Sequence, residues 1–138
     1  MNSIYDNARF KLNTAGLDWR VADLRLVAWG GPPTFTPNLL TVNDKMVEGL
    51  TTLLKISDPV VGTAVTATGL AQTDPIIIRT VPIGMPVTHF TMVQYVTSDA
   101  MSELLLYIDD AVNLPFTPDG LDLVVQPDWL EGRGWFRP

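Results

Sequence analysis

Two stretches decide the fold: Val87–Thr97 (VTHFTMVQYVT) and Glu103–Asp109 (ELLLYID). The first is the longest strand candidate in the chain. It is rich in β-branched and aromatic residues, which fit a pleated surface, and contains neither Gly nor Pro. The second carries an unbroken apolar run from Leu104 to Ile108. A strand with one wet face alternates, so such a run predicts a strand buried on both faces. Side chains alternate along a strand. Leu104, Leu106 and Ile108 are therefore expected on one side, with Leu105 and Tyr107 on the other.

Outward from this pair, further strand candidates recur at short intervals, with Gly, Pro and Asp between them. Upstream lie Ile76–Val81, bounded by Asp74-Pro75 and Pro82, then Thr63–Ala71, and Thr52–Ser57 closed by Asp58-Pro59. Leu24–Trp29 is apolar, alternates poorly and stops at Gly30-Gly31-Pro32-Pro33. Downstream, Leu121, Leu123 and Val125 alternate with their neighbours, and Gly134–Arg137 is a candidate last strand. Residues 34–50 have no clean period and read as a long loop with a short helix around Asp44–Gly49. No alternation of strands with helices is present. The pattern predicts a mainly β chain, an antiparallel β-sandwich over residues 22–137. An N-terminal helix over residues 3–14 precedes it. Ser3 is placed to cap that helix and Gly16 to end it, and Ile4, Tyr5, Ala8 and Leu12 form one apolar face.

The 138 residues suit a single domain, 1–138. Hydrophobic residues make up 46 % and charged residues 17 %, which argues against disorder. The absence of cysteine excludes disulfides, thiolate metal sites and cysteine nucleophiles. A net charge of −6, with Lys and Arg scattered, argues against nucleic acid and anionic membranes as partners. The opening MNSIYDNARF lacks the basic and apolar regions of a signal peptide, so synthesis in the cytoplasm of a host cell is expected.

Candidate chemistry is sparse. His89, the one histidine, has no neighbouring carboxylate in sequence to orient it as a base, and it reads as structural. Asp109 and Asp110 point to opposite sides of a strand. A calcium loop through Asp110, Asn113 and Asp119 has no EF-hand spacing, and turn roles suit these residues better. Gly30-Gly31 lacks the lysine of a phosphate loop. No catalytic residue, cofactor or metal ligand is expected, and the chain reads as a non-enzyme. The four tryptophans, Trp19, Trp29, Trp129 and Trp135, read as core or interface anchors, with a sugar-binding platform as the alternative. The apolar residues outside the clear strands, Phe35, Leu39, Leu40, Trp129, Leu130, Trp135 and Phe136, are the interface candidates.

Several short segments occur in an order that points further. Ile4-Tyr5-Asp6-Asn7-Ala8-Arg9 is followed by Gly16, Asp18-Trp19, Asp23-Leu24-Arg25-Leu26-Val27 and Phe35-Thr36-Pro37-Asn38. Near the end come Leu105-Leu106-Tyr107-Ile108-Asp109, Asn113-Leu114-Pro115-Phe116-Thr117-Pro118-Asp119-Gly120, Asp122-Leu123-Val124-Val125-Gln126 and Trp135-Phe136-Arg137. In content and order these resemble a family of small virion structural proteins of tailed bacteriophages. Pro127-Asp128 and the final Pro138 depart from that family's pattern. The resemblance implies no catalytic residues. It implies a virion component, most simply a capsid decoration (cement) protein that stabilises the head lattice against the major capsid protein or another virion protein, as a homo-oligomer with a trimer favoured. A neck or tail component is the alternative within the virion, and a small glycan-binding adhesion module the alternative of another class.

Overall fold

The computed structural model of the chain describes residues 3–14, 16–65, 71–109 and 114–125. In chain order the elements are β1 (Ser3–Ile4), α1 (Asp6–Asn13), β2 (Leu24–Gly30), α2 (Val42–Val47), β3 (Thr52–Ile56), β4 (Ala64–Val65), β5 (Ala71–Gln72), β6 (Ile76–Ile78), β7 (His89–Val96), β8 (Ser98–Ile108) and β9 (Leu123–Val125). The fold is mainly β with antiparallel pairing, and an N-terminal helix is present.

The two deciding stretches pair with each other. β7 and β8 form a hairpin through Thr97, and together they make the centre of a five-stranded sheet ordered β1-β8-β7-β2-β3. β8 starts at Ser98, ahead of the expected Glu103, because the polar residues after the turn join the ladder to β7. All five residues from Leu104 to Ile108 are buried. Their sidedness differs from simple alternation. Met92 pairs with Leu106 while Val93 pairs with Leu104, so Leu105 is an extra residue, a bulge. The bulge puts Leu105 on the same core as Leu106 and Ile108, and leaves Leu104 and Tyr107 on the opposite one.

Both faces of the main sheet are covered, which explains the poor alternation of β2. Leu24, Leu26 and Ala28 enter one core with Phe90, Met92, Leu105, Leu106 and Ile108. That core is closed by Ala8 of α1, by Leu17 and Trp19, and by Ile76 and Ile78 of β6, which pairs with β9 in a separate ribbon. This ribbon gives the arrangement its sandwich-like second layer. Val27 and Trp29 enter the other core with Tyr5, Val93, Leu104 and Tyr107, under Val42 of α2.

Three local expectations need correcting. Ser3 caps nothing: it pairs with Tyr107 in the ladder, and Tyr5 stands at the helix N-cap position without a side-chain bond. The reason is that β8 offers an open edge, which the first residues take before the helix begins. Of the expected strand Thr63–Ala71, the described ends belong to two strands, Ala64–Val65 and Ala71–Gln72, which pair with each other, and residues 66–70 lie outside the described residues. The short helix lies over Val42–Val47 rather than Asp44–Gly49, set by a capping box in which the Thr41 side chain accepts from the Asp44 amide and the Asp44 carboxylate accepts from the Thr41 amide. Gly16 does close α1, its amide donating to Lys11 O at 2.7 Å. The expected strand at Gly134–Arg137 lies outside the described residues.

Candidate functional site

The most polar part of the interior lies between α2 and the sheet. The capping box fixes where α2 starts, and Val42 and Lys45, three residues apart, then share its inward face. Lys45 is fully buried. Its Nζ donates to Thr34 O at 3.1 Å and stands 5.1 Å from the centroid of the Trp29 ring and 5.7 Å from that of Tyr107. Two aromatic faces and one carbonyl replace the water an ammonium would otherwise hold. Burial nevertheless dominates, and brings the Lys45 pKa down to about 8, with Glu48 opposing the shift.

His89 closes the same cluster from β7. It is buried, stacks parallel to Trp29 at 6.3 Å and lies 5.5 Å from Tyr107. Its tautomer follows from its neighbour. The Thr88 hydroxyl donates to Gly31 O at 2.6 Å, so towards His89 Nδ1, at 2.8 Å, it acts as acceptor. His89 therefore carries its proton on Nδ1, and Nε2 is a buried lone pair with no partner among the described residues. Burial first, then the charge of Lys45, push the His89 pKa down to about 3, against a smaller pull from Asp109. Such a ring stays neutral at ordinary pH and is sealed from solvent. The Tyr5 hydroxyl is also buried without a partner among the described residues, and burial pushes its pKa up, with Tyr107 and Glu48 adding to the shift. Thr36 donates to Glu48 Oε2 at 2.6 Å, which ties the loop before α2 to the residue that ends it. The chemistry this arrangement performs is positional: it fixes α2 and residues 34–41 against the sheet.

The interface candidates separate. Phe35 and Leu39 are half-buried on the chain's own second core, with the Phe35 ring 5.0 Å from Tyr5 and 5.3 Å from Tyr107. Leu40 is exposed. Trp129, Leu130, Trp135 and Phe136 lie outside the described residues. Trp19 and Trp29 are both core residues. Of the acidic set, Asp119 accepts from the Leu121 amide, a turn contact, and Asp122 accepts from the Thr80 amide, 42 residues away, while Asp110 and Asn113 are outside the described residues.

Two apolar surfaces went unseen in the sequence. One is on the β6–β9 ribbon, where cross-strand partners Ile77 and Val124 both face outward near exposed Leu121 and Ile83. The other is the outer side of α2, where Met46 and Val47 are exposed. The signal for α2 was available in the Thr41-x-x-Asp44 pattern, but the burial of its lysine had none. Among the described residues no helix is long and apolar enough to cross a membrane, and no three His, Cys, Asp or Glu residues gather as a metal site. No family model, curated protein or solved structure matches this chain.

Proposed function

We propose that the chain is a structural protein of a tailed-bacteriophage virion, a capsid decoration protein that binds the head lattice as a homo-oligomer and performs no catalysis. The observation that carries this reading is the ordered series of segments from Ile4-Tyr5-Asp6-Asn7-Ala8-Arg9 to Trp135-Phe136-Arg137, which resembles such proteins along nearly the whole sequence. Physical considerations support it. A sheet covered on both faces is stiff, and exposed apolar patches on a protein with 17 % charged residues suit a lattice of contacts. A net charge of −6 suits the outside of a shell filled with DNA better than its lining. Quantitative mass spectrometry of purified particles, separated into heads and tails, tests the reading. The expected result is a head-associated protein with a copy number comparable to that of the major capsid protein. A few copies in the tail fraction would indicate a neck or tail component, and absence from particles would overturn the virion reading.

A further inference from the structure

Residues 34–49 are bonded mainly to one another. Lys45 Nζ reaches back to Thr34 O, Thr36 donates to Glu48 Oε2, the Leu39 amide donates to Thr36 O at 3.2 Å, and the capping box joins Thr41 to Asp44. This unit meets the rest of the fold through the Asp6 amide on Pro37 O, the Leu104 amide on Leu40 O and the Thr41–Glu103 bridge, and by packing Phe35, Leu39 and Val42 on the second core. β7, by contrast, is paired along both edges, with β2 and with β8. His89 belongs to this fixed side of the contact and Lys45 to the other. The His89 ring packs against Trp29 and Tyr107, the same rings over which the Lys45 amine lies.

Nδ1 of His89 already carries a proton towards Thr88, so a second proton has to enter at Nε2. There it would be a buried donor with no acceptor among the described residues, in a cluster that holds an ammonium. The groups around the ring do not offset this. Lys45 on α2 repels an imidazolium, and Asp109, just past β8, attracts it more weakly. Glu48 is held by Thr36, and burial keeps Tyr5 and Tyr107 neutral. An imidazolium at position 89 therefore needs water at Nε2. Lifting residues 34–49 admits that water, and the core on the opposite face, with Leu24, Leu26, Met92 and Leu106, need not change.

We infer that acidification lifts residues 34–49 off an otherwise intact sheet, with His89 as the group that takes up the proton. The inference is independent of the virion reading and gives the chain a second, acid state. Amide hydrogen exchange of the full chain, followed by NMR at pH 7 and pH 4.5 and expressed as protection factors, tests it. In the open state His89 titrates near its ordinary 6.5, so the protection of the Lys45 and Glu48 amides is expected to fall at least about fiftyfold over that interval. Leu26 and Met92 in the sheet should keep theirs. The chain has one histidine, so the imidazole nitrogen signals report on His89 alone. They should show a neutral ring protonated at Nδ1 at pH 7, and an imidazolium that grows in step with the loss of protection in α2. His89→Gln should retain its Lys45 and Glu48 protection at pH 4.5. An equal fall at the sheet amides, an imidazolium formed while Lys45 and Glu48 stay protected, or the same fall in His89→Gln would each overturn the inference. Where His89→Gln does not fold, the wild-type nitrogen titration decides by itself.

Discussion

The two faces of the five-stranded sheet bury side chains of opposite character, although they are made by alternate residues of the same strands. Towards α1 and the β6–β9 ribbon the sheet presents Leu24, Leu26, Ala28, Met92 and Leu106, with no polar side-chain atom among them. Towards α2 it presents Trp29, His89, Thr91 and Tyr107, which meet Tyr5 and Lys45. The first face is held by removal of hydrocarbon from water, which has no preferred orientation. The second adds directional contacts: Trp29 Nε1 donates to Thr91 Oγ1 at 2.9 Å, Thr88 accepts from His89, and Lys45 has one carbonyl to reach. The first two orient rings of the cluster around Lys45, and the third holds the amine of α2, at the expense of desolvating an amine and an imidazole. The apolar face supplies stability, and the polar face supplies register for the helix that carries the exposed stripe.

The largest expected effect lies on the apolar face. Leu26→Ala removes a fully buried side chain and should destabilise the protein by roughly 2–5 kcal/mol in urea unfolding, by the same amount at pH 5 and pH 9. A loss that varies with pH would show that the two faces are not independent. The polar face should answer to pH instead. His89 has a pKa of about 3 when folded, below its ordinary 6.5, so the unfolded chain binds its proton first on acidification. Its contribution is complete above pH 6.5 and is lost as pH falls towards 3. Between pH 7 and 4.5 the wild type should lose on the order of 2–3 kcal/mol more than His89→Gln. Equal slopes would place His89 in contact with water.

Lys45 shifts in the same direction with the opposite consequence. Below pH 8 both folded and unfolded chains carry its charge, and the fold bears the whole desolvation penalty. Between about pH 8 and 10 the folded state sheds the proton first, so stability should rise by roughly 2 kcal/mol, and Lys45→Met should abolish the rise. Urea midpoints across that window, compared between the two proteins, give the answer, and a flat wild-type profile would break the assignment of a dry amine.

Much of the apolar face was legible in the sequence, and little of the polar one. The run Leu104–Ile108 announces a strand without a wet face, and the poor alternation of Leu24–Trp29 says the same of β2. The bulge at Leu105 was not legible, because it depends on the register of β7 against β8, a property of two strands rather than one. Ser3 reads as a cap until an open edge of β8 competes for it. Lys45 reads as surface, since nothing local records that Thr34 O and two aromatic rings will meet its amine. Residues whose partners are distant in sequence are the ones a linear reading misplaces. Met46 and Val47 follow from Lys45: once the lysine is known to face inward, helical geometry turns them outward.

The smallest expected effect compares the two helices. α1 has no side-chain cap at Tyr5, but its neighbour β1 is tied into the sheet, so its start is fixed by the ladder. α2 has six residues, too few to persist alone, and its start depends on Thr41 and Asp44. Thr41→Ala removes the acceptor of the Asp44 amide, 3.2 Å away, and should cost about 1 kcal/mol. The informative quantity is where that loss appears. The amides of Lys45 and Glu48, bonded to Thr41 O and Asp44 O, should exchange hydrogen about fivefold faster, while those of Leu26 and Met92 in the sheet keep their wild-type protection. That outcome would make α2 a separately opening unit, held to the sheet by Lys45 and its rings. Uniform acceleration at all four amides would instead join α2 and the sheet in one cooperative unit, and the two faces would then differ in chemistry but not in stability.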